Sequence, residues 1–385
     1  MKNISLLTVL MILISNTKVY SQIGIGTTMP HASSILEVHS TTKGFLPPRL
    51  TSVNRDNITN PAEGLMIYNT DLSCIEYFTG SYWFNPCCSK TVNSGLDALP
   101  LEIFFNLDDL SQIEKINSTT GLGEGVTPQH NEFVYSYNSL VNGNTRALEF
   151  SPGALENNEV FQFKDETAPN LAPYKTNRSI YRSVNKNLIG YNGPIAVASM
   201  QYDFTPDYTG EFEIFLIAKI DSASDNIVPY SSFFSSTDLS TANNSLQLGL
   251  GSPTFNTDAI SGIPCETNYF RLFYRNGSSN RSICGTSLDK RVAVNDNQFH
   301  VFNIIQRNHP NGVNFVLELN IDGELVAIDE GLTEALKFEK LKLFSNRRGD
   351  KAMKSYMTDL LFFSTPLSKN NNDKLNEYLV CKYGR

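Results

Sequence analysis

Val313–Glu330 reads VNFVLELNIDGELVAIDE, and its reading decides the class of fold. Apolar and polar residues alternate from Val313 to Ile321, Asp322-Gly323 supplies a two-residue turn, and Glu324 to Asp329 returns as the partner strand. A type I′ turn needs positive φ at both central positions, so Asp-Gly between alternating runs predicts a hairpin. Leu341–Ser368 (LKLFSNRRGDKAMKSYMTDLLFFSTPLS) predicts a further strand pair. Ser368 then serves as the N-cap of a closing helix with Leu375, Tyr378 and Leu379 on one face.

Upstream, short apolar runs recur between turn-rich spacers. Ala147–Pro152, Leu246–Leu250, Tyr269–Tyr274 and Phe299–Ile305 are candidate strands, and Glu211–Ile220 places Phe212, Ile214, Leu216, Ala218 and Ile220 on one face. Many strands with Asn, Gly and Ser turns and one late helix predict an antiparallel sandwich. The intervals 110–200 and 221–245 are read as long loops with functional variation, or as partly disordered. The hairpin, the LLFFSTPLS strand and the final LNEYLVCKYG helix resemble the end of the concanavalin A-like (laminin G-like, pentraxin-like) jelly-roll family. That resemblance implies an all-β, antiparallel jelly-roll sandwich over residues 101–385, and it names no ligand.

Residues 22–86 have a different texture. Gly24, Gly26, Thr27, Leu36–Val38, Lys43–Arg49, Arg55-Asp56, Pro61–Thr70 and Tyr77 through Trp83 stand in one fixed order. This pattern resembles an N-terminal module common in secreted proteins of Bacteroidota, related to modules at the front of tail-fibre-like proteins. The resemblance implies a small β-rich presentation or oligomerisation module, a trimer, and an extracellular or outer-surface location. So small a segment buries little core alone and needs a partner. Residues 87–100 form a linker.

The chain of 385 residues begins with Lys2, an apolar run Ile4–Ile14 and the small-residue pattern Val19-Tyr20-Ser21, which predicts a removable signal peptide over 1–21. No stretch approaches the roughly 20 apolar residues that a spanning helix needs. Without Lys2 and Lys18 the chain carries 29 basic against 39 acidic residues, near −10, which argues against nucleic acid or anionic membrane as partner. Six cysteines in an exported chain predict disulfides. Cys265 and Cys284 flank a hairpin-like run, and one of Cys87 and Cys88 could bond Cys74 while the other reaches Cys381. Sequence leaves all 15 connectivities of six cysteines open, and the paired spacing of a zinc site is missing.

Jelly rolls of this kind include glycoside hydrolases and polysaccharide lyases. Retaining hydrolysis needs two carboxylates about 5–5.5 Å apart. The nearest pattern is Glu211-Phe212-Glu213, which lacks a third acid and reads as the polar face of a half-buried strand. Against a lyase pattern, Gln298-Phe299-His300 and Tyr269-Phe270-Arg271 come in the wrong order, so His300 reads as one position on a strand. No catalytic residue is assigned. Calcium is a candidate cofactor, with loop oxygens at Asp221, Asp225, Asn226, Asn295, Asp296, Asn297 and Asp350.

For sugar stacking the sequence offers Tyr181, Tyr191, Tyr202, Tyr208 and Tyr230, while Trp83 belongs to the front module's own packing. Arg348-Gly349-Asp350 reads as a turn, and Asp221-Ser222-Ala223 matches a short O-glycosylation signal. The expectation is a non-catalytic secreted or surface protein that recognises carbohydrate or another surface polymer. The alternatives are an adhesive protein without sugar binding and a hydrolase or lyase with an unrecognised site.

Overall fold

The computed structural model describes residues 22–70, 74–80, 83–85, 100–105, 107, 110–139, 147–153, 159–165, 178–183, 186–187, 197–221, 232–237, 243–251, 258–266, 269–285, 287, 292–293, 298–348 and 351–383. The expected signal peptide and nearly all of the 87–100 linker lie outside these residues.

The front segment is built from short strands. Ile23–Ile25 pairs in parallel with Leu36–Val38, and a four-stranded sheet runs in the order Arg49–Leu50, Met66–Asn69, Cys74–Phe78, Trp83–Phe84. A one-turn helix, Ser52–Asp56, was not expected; the Thr51 hydroxyl caps it by accepting from the Asn54 amide at 3.2 Å. Its Arg55 donates to both oxygens of the buried Glu76 (2.9 and 2.8 Å), and Asn69 Nδ2 donates to the same carboxylate at 2.9 Å. Trp83 packs against Phe78 with ring centroids 5.5 Å apart, as its position in the module implied. Thirteen of the eighteen large apolar residues that are exposed among the described residues fall between Ile23 and Tyr77. A segment this exposed needs more apolar cover than it supplies itself.

The rest is a sandwich of two antiparallel sheets. One sheet has nine strands in the order Ser279–Ile283, Phe270–Asn276, Leu246–Leu250, Ser232–Ser235, Lys337–Leu343, Ser199–Thr209, Ala147–Ser151, Val134–Asn138, Ile113–Lys115. The other has eight: Phe161–Asp165, Arg178–Arg182, Ser355–Phe363, Phe212–Ile220, His300–Asn308, Phe315–Ile321 and Glu324–Leu332, with Leu101–Phe105 also paired to Ser355–Phe363. Between the sheets lies one continuous apolar core, to which Phe212, Ile214 and Leu216 contribute from one side and Leu246, Leu248 and Leu341 from the other.

The Asp322-Gly323 turn has φ +54° and +83°, the positive pair that a type I′ turn demands, and Ile321 pairs with Glu324 across it. Ser368 is the expected N-cap: its carbonyl accepts the amides of Asn371 and Asn372 at 2.9 Å. Leu375, Leu379 and Tyr383 of the helix Lys369–Tyr383 bury against Phe215, Ile217, Val301, Leu361 and Phe363 on the outer face of the eight-stranded sheet.

Three expectations need correction. Lys337–Leu343 and Ser355–Phe363 are not a strand pair; they belong to different sheets, because the connection between them crosses the sandwich edge. Residues 110–200 are not one long loop. Besides the expected Ala147–Ser151 they hold Ile113–Lys115, Val134–Asn138, Phe161–Asp165 and Arg178–Arg182, and the interval 221–245 holds Ser232–Ser235, strands too short to show a period. Phe212–Ile220 is buried on both faces, since the helix covers the side that was read as polar.

Candidate functional site

The outer face of the nine-stranded sheet carries one side chain per strand in an unbroken transverse line. Glu114 pairs with Ser136, Ser136 with Glu149, Glu149 with Gln201 and Gln201 with Lys342. Lys342 pairs with Ser235, Ser235 with Gln247, Gln247 with Phe273 and Phe273 with Ser282. Each stands next in sequence to a core residue, as with Leu341-Lys342-Leu343 and Leu246-Gln247-Leu248, so alternation turns all nine outward. At roughly 4.8 Å per strand the line runs about 38 Å. Eight of its nine members are polar.

Beside it runs a second line of small residues. Ser151 pairs with Ser199, and Ser232 with Gly249, which in turn pairs with Arg271. The line is open at Glu149 and Gln201 and closed from bulk water over Lys342, Ser235, Gln247 and Ser282. The hydroxyls of Ser232 and Ser282 are buried without a hydrogen-bond partner among the described residues.

At one end of the line the face becomes cationic. The guanidiniums of Arg271 and Arg347 lie 5.2 and 5.0 Å from the centroid of the Phe273 ring. The Arg347 amide donates to Gln247 Oε1 at 3.3 Å, which ties this cluster to the transverse line. Burial, followed by repulsion from Arg275 and Arg348, lowers the Arg347 pKa to about 10. The Cys265–Cys284 disulfide, predicted from sequence, clips the ends of the segment that carries Arg271, Phe273 and Arg275. Asp258 lies beside this bridge. Its carboxylate accepts from the amides of Ile260, Ser261 and Cys284 at 2.8–3.0 Å, and the two sulfurs are bonded to each other, so the trio is not a metal site.

The other sequence candidates are placed as follows. Glu211 and Glu213 do not line a cleft together. Glu213 is fully buried beneath the C-terminal helix, where it accepts from Asn303 Nδ2 at 2.8 Å, from the Leu367 amide at 2.7 Å and from Asn372 Nδ2. Burial raises its pKa in spite of these three donors. Because the folded pKa lies above the unfolded value, Glu213 adds stability below about pH 4.3 that is lost as pH rises through the folded pKa. The stability difference between the native chain and Glu213→Gln should therefore move in favour of the native chain on going from neutral pH to about pH 4.5, read by urea midpoints at both. A difference that is independent of pH would remove this assignment.

His300 is buried at the start of its strand with Nδ1 2.7 Å from Asp322 Oδ2, while Asp322 Oδ1 accepts the Val301 amide at 2.9 Å. It fastens the Asp-Gly turn. Phe270 is core, and Gln298 and Tyr269 stand outside the transverse line.

Among the tyrosines, Tyr202 is core, and Tyr208 donates to the carbonyls of Ser364 (2.7 Å) and Glu211, its pKa pushed up to about 12 by burial. Tyr181 stacks on Tyr356 with centroids 4.3 Å apart. Lys219 lies 4.6 Å from the Tyr356 ring and 5.0 Å from Phe299, and Lys164 lies 5.1 Å from Tyr181. Tyr181 and Lys219 approach Tyr356 from strands on its two sides, so its faces are already used and a sugar would have to displace a lysine.

Asp221 accepts the Tyr181 hydroxyl at 2.7 Å. The remaining calcium candidates Asp225, Asn226, Asn295, Asp296, Asn297 and Asp350 lie outside the described residues, as do Tyr191, Tyr230, Cys87, Cys88 and the side chain of Cys381. Cys74 is disulfide-bonded. The transverse line itself escaped sequence reading, although LQLGL and LKL show its signal: a lone polar residue between two leucines.

Residues 24–94 match the family described as the phage tail like trimerisation region. No curated protein matches the chain. Among solved structures, one of botulinum neurotoxin type C, described as interacting with two ganglioside molecules, is 10% identical at a TM-score of 0.40, covering 74% of this chain and 53% of its own. Domain 4 of the extracellular arabinanase AbnA from Geobacillus stearothermophilus, in complex with arabinotriose, is also 10% identical at 0.40, covering 72% of this chain and 98% of its own. The chain spans about half the length of the toxin structure. Likeness at this level assigns no ligand. Among the described residues no helix is long and apolar enough to cross a membrane.

Proposed function

We propose that this chain is a secreted or surface-exposed binding protein rather than an enzyme. In this reading a trimerising front module presents lectin-like, concanavalin A-like sandwiches that hold a glycan or another surface polymer. The observation that carries it is the open part of the transverse line, where Glu114, Glu149 and Gln201 reach solvent from three strands of one sheet face. An extended polymer meets such a line as a series of hydrogen-bonding positions, whereas a small ligand would need convergence on one point. The exposed apolar residues of the front segment support a threefold assembly that covers them. The acid candidates of a glycosidase contribute elsewhere, with Glu213 engaged in seating the helix.

Two measurements on the mature chain test this reading. In gels containing laminarin, dextran, alginate or dextran sulfate, at least one polymer should retard the protein. Glu149→Ala with Gln201→Ala should weaken the retarding interaction about tenfold, as expected for lost hydrogen bonds. No new reducing ends or unsaturated products should form. Retardation that survives the double substitution would move the site off this face, and product formation would make the chain an enzyme. Light scattering should give three chains per particle; a monomer at high concentration removes the trimer.

A further inference from the structure

We infer that the subunits of the trimer join through two different faces of the front segment: the open side of the ribbon Ile23–Ile25 with Leu36–Val38 on one chain lies on the open side of the four-stranded sheet of the next. This rests on the trimer reading above. In the ribbon, Ile23 stands beside Leu36 and Ile25 beside Val38, so all four side chains share one face, and they are 44–57% exposed. The opposite side is taken by the chain's own loop: Glu37 accepts the His31 amide, and a Cβ at Gly24 would meet the Thr27 carbonyl oxygen at 2.5 Å. In the sheet, Met66 stands beside Tyr77 and Tyr77 beside Phe84, while Tyr68 stands beside Ile75. Met66, Ile75 and Tyr77 are 38–48% exposed. The other side of that sheet carries Ile67, Asn69, Cys74 and Glu76, all buried, with Arg55 of the one-turn helix on Glu76.

The polarity of this sheet is inverted. Its covered side holds a carboxylate, an amide and a guanidinium, while its open side holds Met66, Tyr68, Ile75, Tyr77 and Phe84, with Arg49 the one charge in those two rows. An open apolar face of this kind marks a contact surface. Within one chain the ribbon does not cover it, since both faces stay open. In a closed ring of three, each contact joins different patches on two copies, so every chain must show two. The front segment shows two, and all their residues but Ile23 fall in the stretch 24–94 that matches a trimerisation region. Packing the sheet face on its own copies would bring the Arg49 side chains toward one another, whereas the ribbon face carries no charge. A narrow ribbon laid on a wider sheet is ordinary sheet packing, with layers about 10 Å apart.

The test is light scattering of two variants of the mature chain and of their mixture. Ile25→Glu with Val38→Glu spoils the ribbon face, and Met66→Glu with Ile75→Glu spoils the sheet face, because a carboxylate caught in an apolar contact is costly. All four positions are exposed in the single chain, so neither change enters its core. Each variant alone should be a single chain at concentrations where the native chain is a trimer. Their equimolar mixture should give a particle of two chains, one of each, because one intact ribbon face meets one intact sheet face and the ring cannot close. The emission of Trp83, packed against Phe78, should match the native chain in both variants. Where it shifts, Ile25→Thr with Val38→Thr and Met66→Thr with Ile75→Thr repeat the cross with residues that strands accept. Association of either variant with itself, or a mixture that stays as single chains or closes to three, overturns the two-face contact and leaves the trimer reading intact. A native chain that is itself monomeric ends both.

Discussion

Replacing Asp359 by alanine should lower stability by about 3–5 kcal/mol, the cost typical of removing one partner from a buried ion pair. Asp359 and Lys382 are 2% and 4% exposed, with Lys382 Nζ 3.3 Å from Asp359 Oδ2. The same carboxylate accepts from the hydroxyls of Tyr383 and Thr358 and from the Leu107 amide. One side chain thus fastens the last turn of the helix to the sheet beneath it. Its loss strips Lys382 of this carboxylate in surroundings that solvate a cation poorly.

Asp359→Leu combined with Lys382→Met should recover only part of the loss, since the apolar pair removes the stranded cation but still leaves the Tyr383 hydroxyl and the Leu107 amide without their acceptor. The single tryptophan, Trp83, reports on the front segment, so sandwich unfolding is better followed by far-UV circular dichroism in urea. A single-mutant loss below about 1 kcal/mol would show that the pair is not the fastening described.

Replacing both Cys265 and Cys284 by alanine should cost about 3 kcal/mol, because the bridge closes a loop of 19 residues and so restricts the unfolded chain. The bridge clips the hairpin whose outward face carries Arg271, Phe273 and Arg275, and Asp258 accepts the amide of Cys284 beside it. A loss below about 1 kcal/mol, read from the urea midpoint, would show that the bridge does not restrict the unfolded chain in this way. Substitution is preferred to reduction here, because Cys74 is also bonded.

How much of this was legible in the sequence depends on how local each signal was. The Asp322-Gly323 turn, the Ser368 cap and the alternation of Phe212–Ile220 are written within a few residues, and the structure contains all three. The Cys265–Cys284 bridge was readable because it closes a single hairpin. The second buried face of Phe212–Ile220 was not, since the helix that covers Phe215 and Ile217 lies at the other end of the chain. The same holds for Glu213, whose partners Asn303, Leu367 and Asn372 come from three later elements.

The transverse line is the extreme case. Gln201 meets Lys342, and Lys342 meets Ser235, only through register, which no local pattern encodes. Each member alone looks like an ordinary solvent-facing position on a strand.

Leu101–Phe105, the first strand of the sandwich, and Lys369–Tyr383, its last element, both attach to the eight-stranded sheet. Both elements therefore lie on the sheet opposite the one that carries the transverse line. A dye, affinity tag or immobilising linker placed directly after Tyr383 should hang behind the sandwich, so capture through that position ought to preserve access to Glu149 and Gln201.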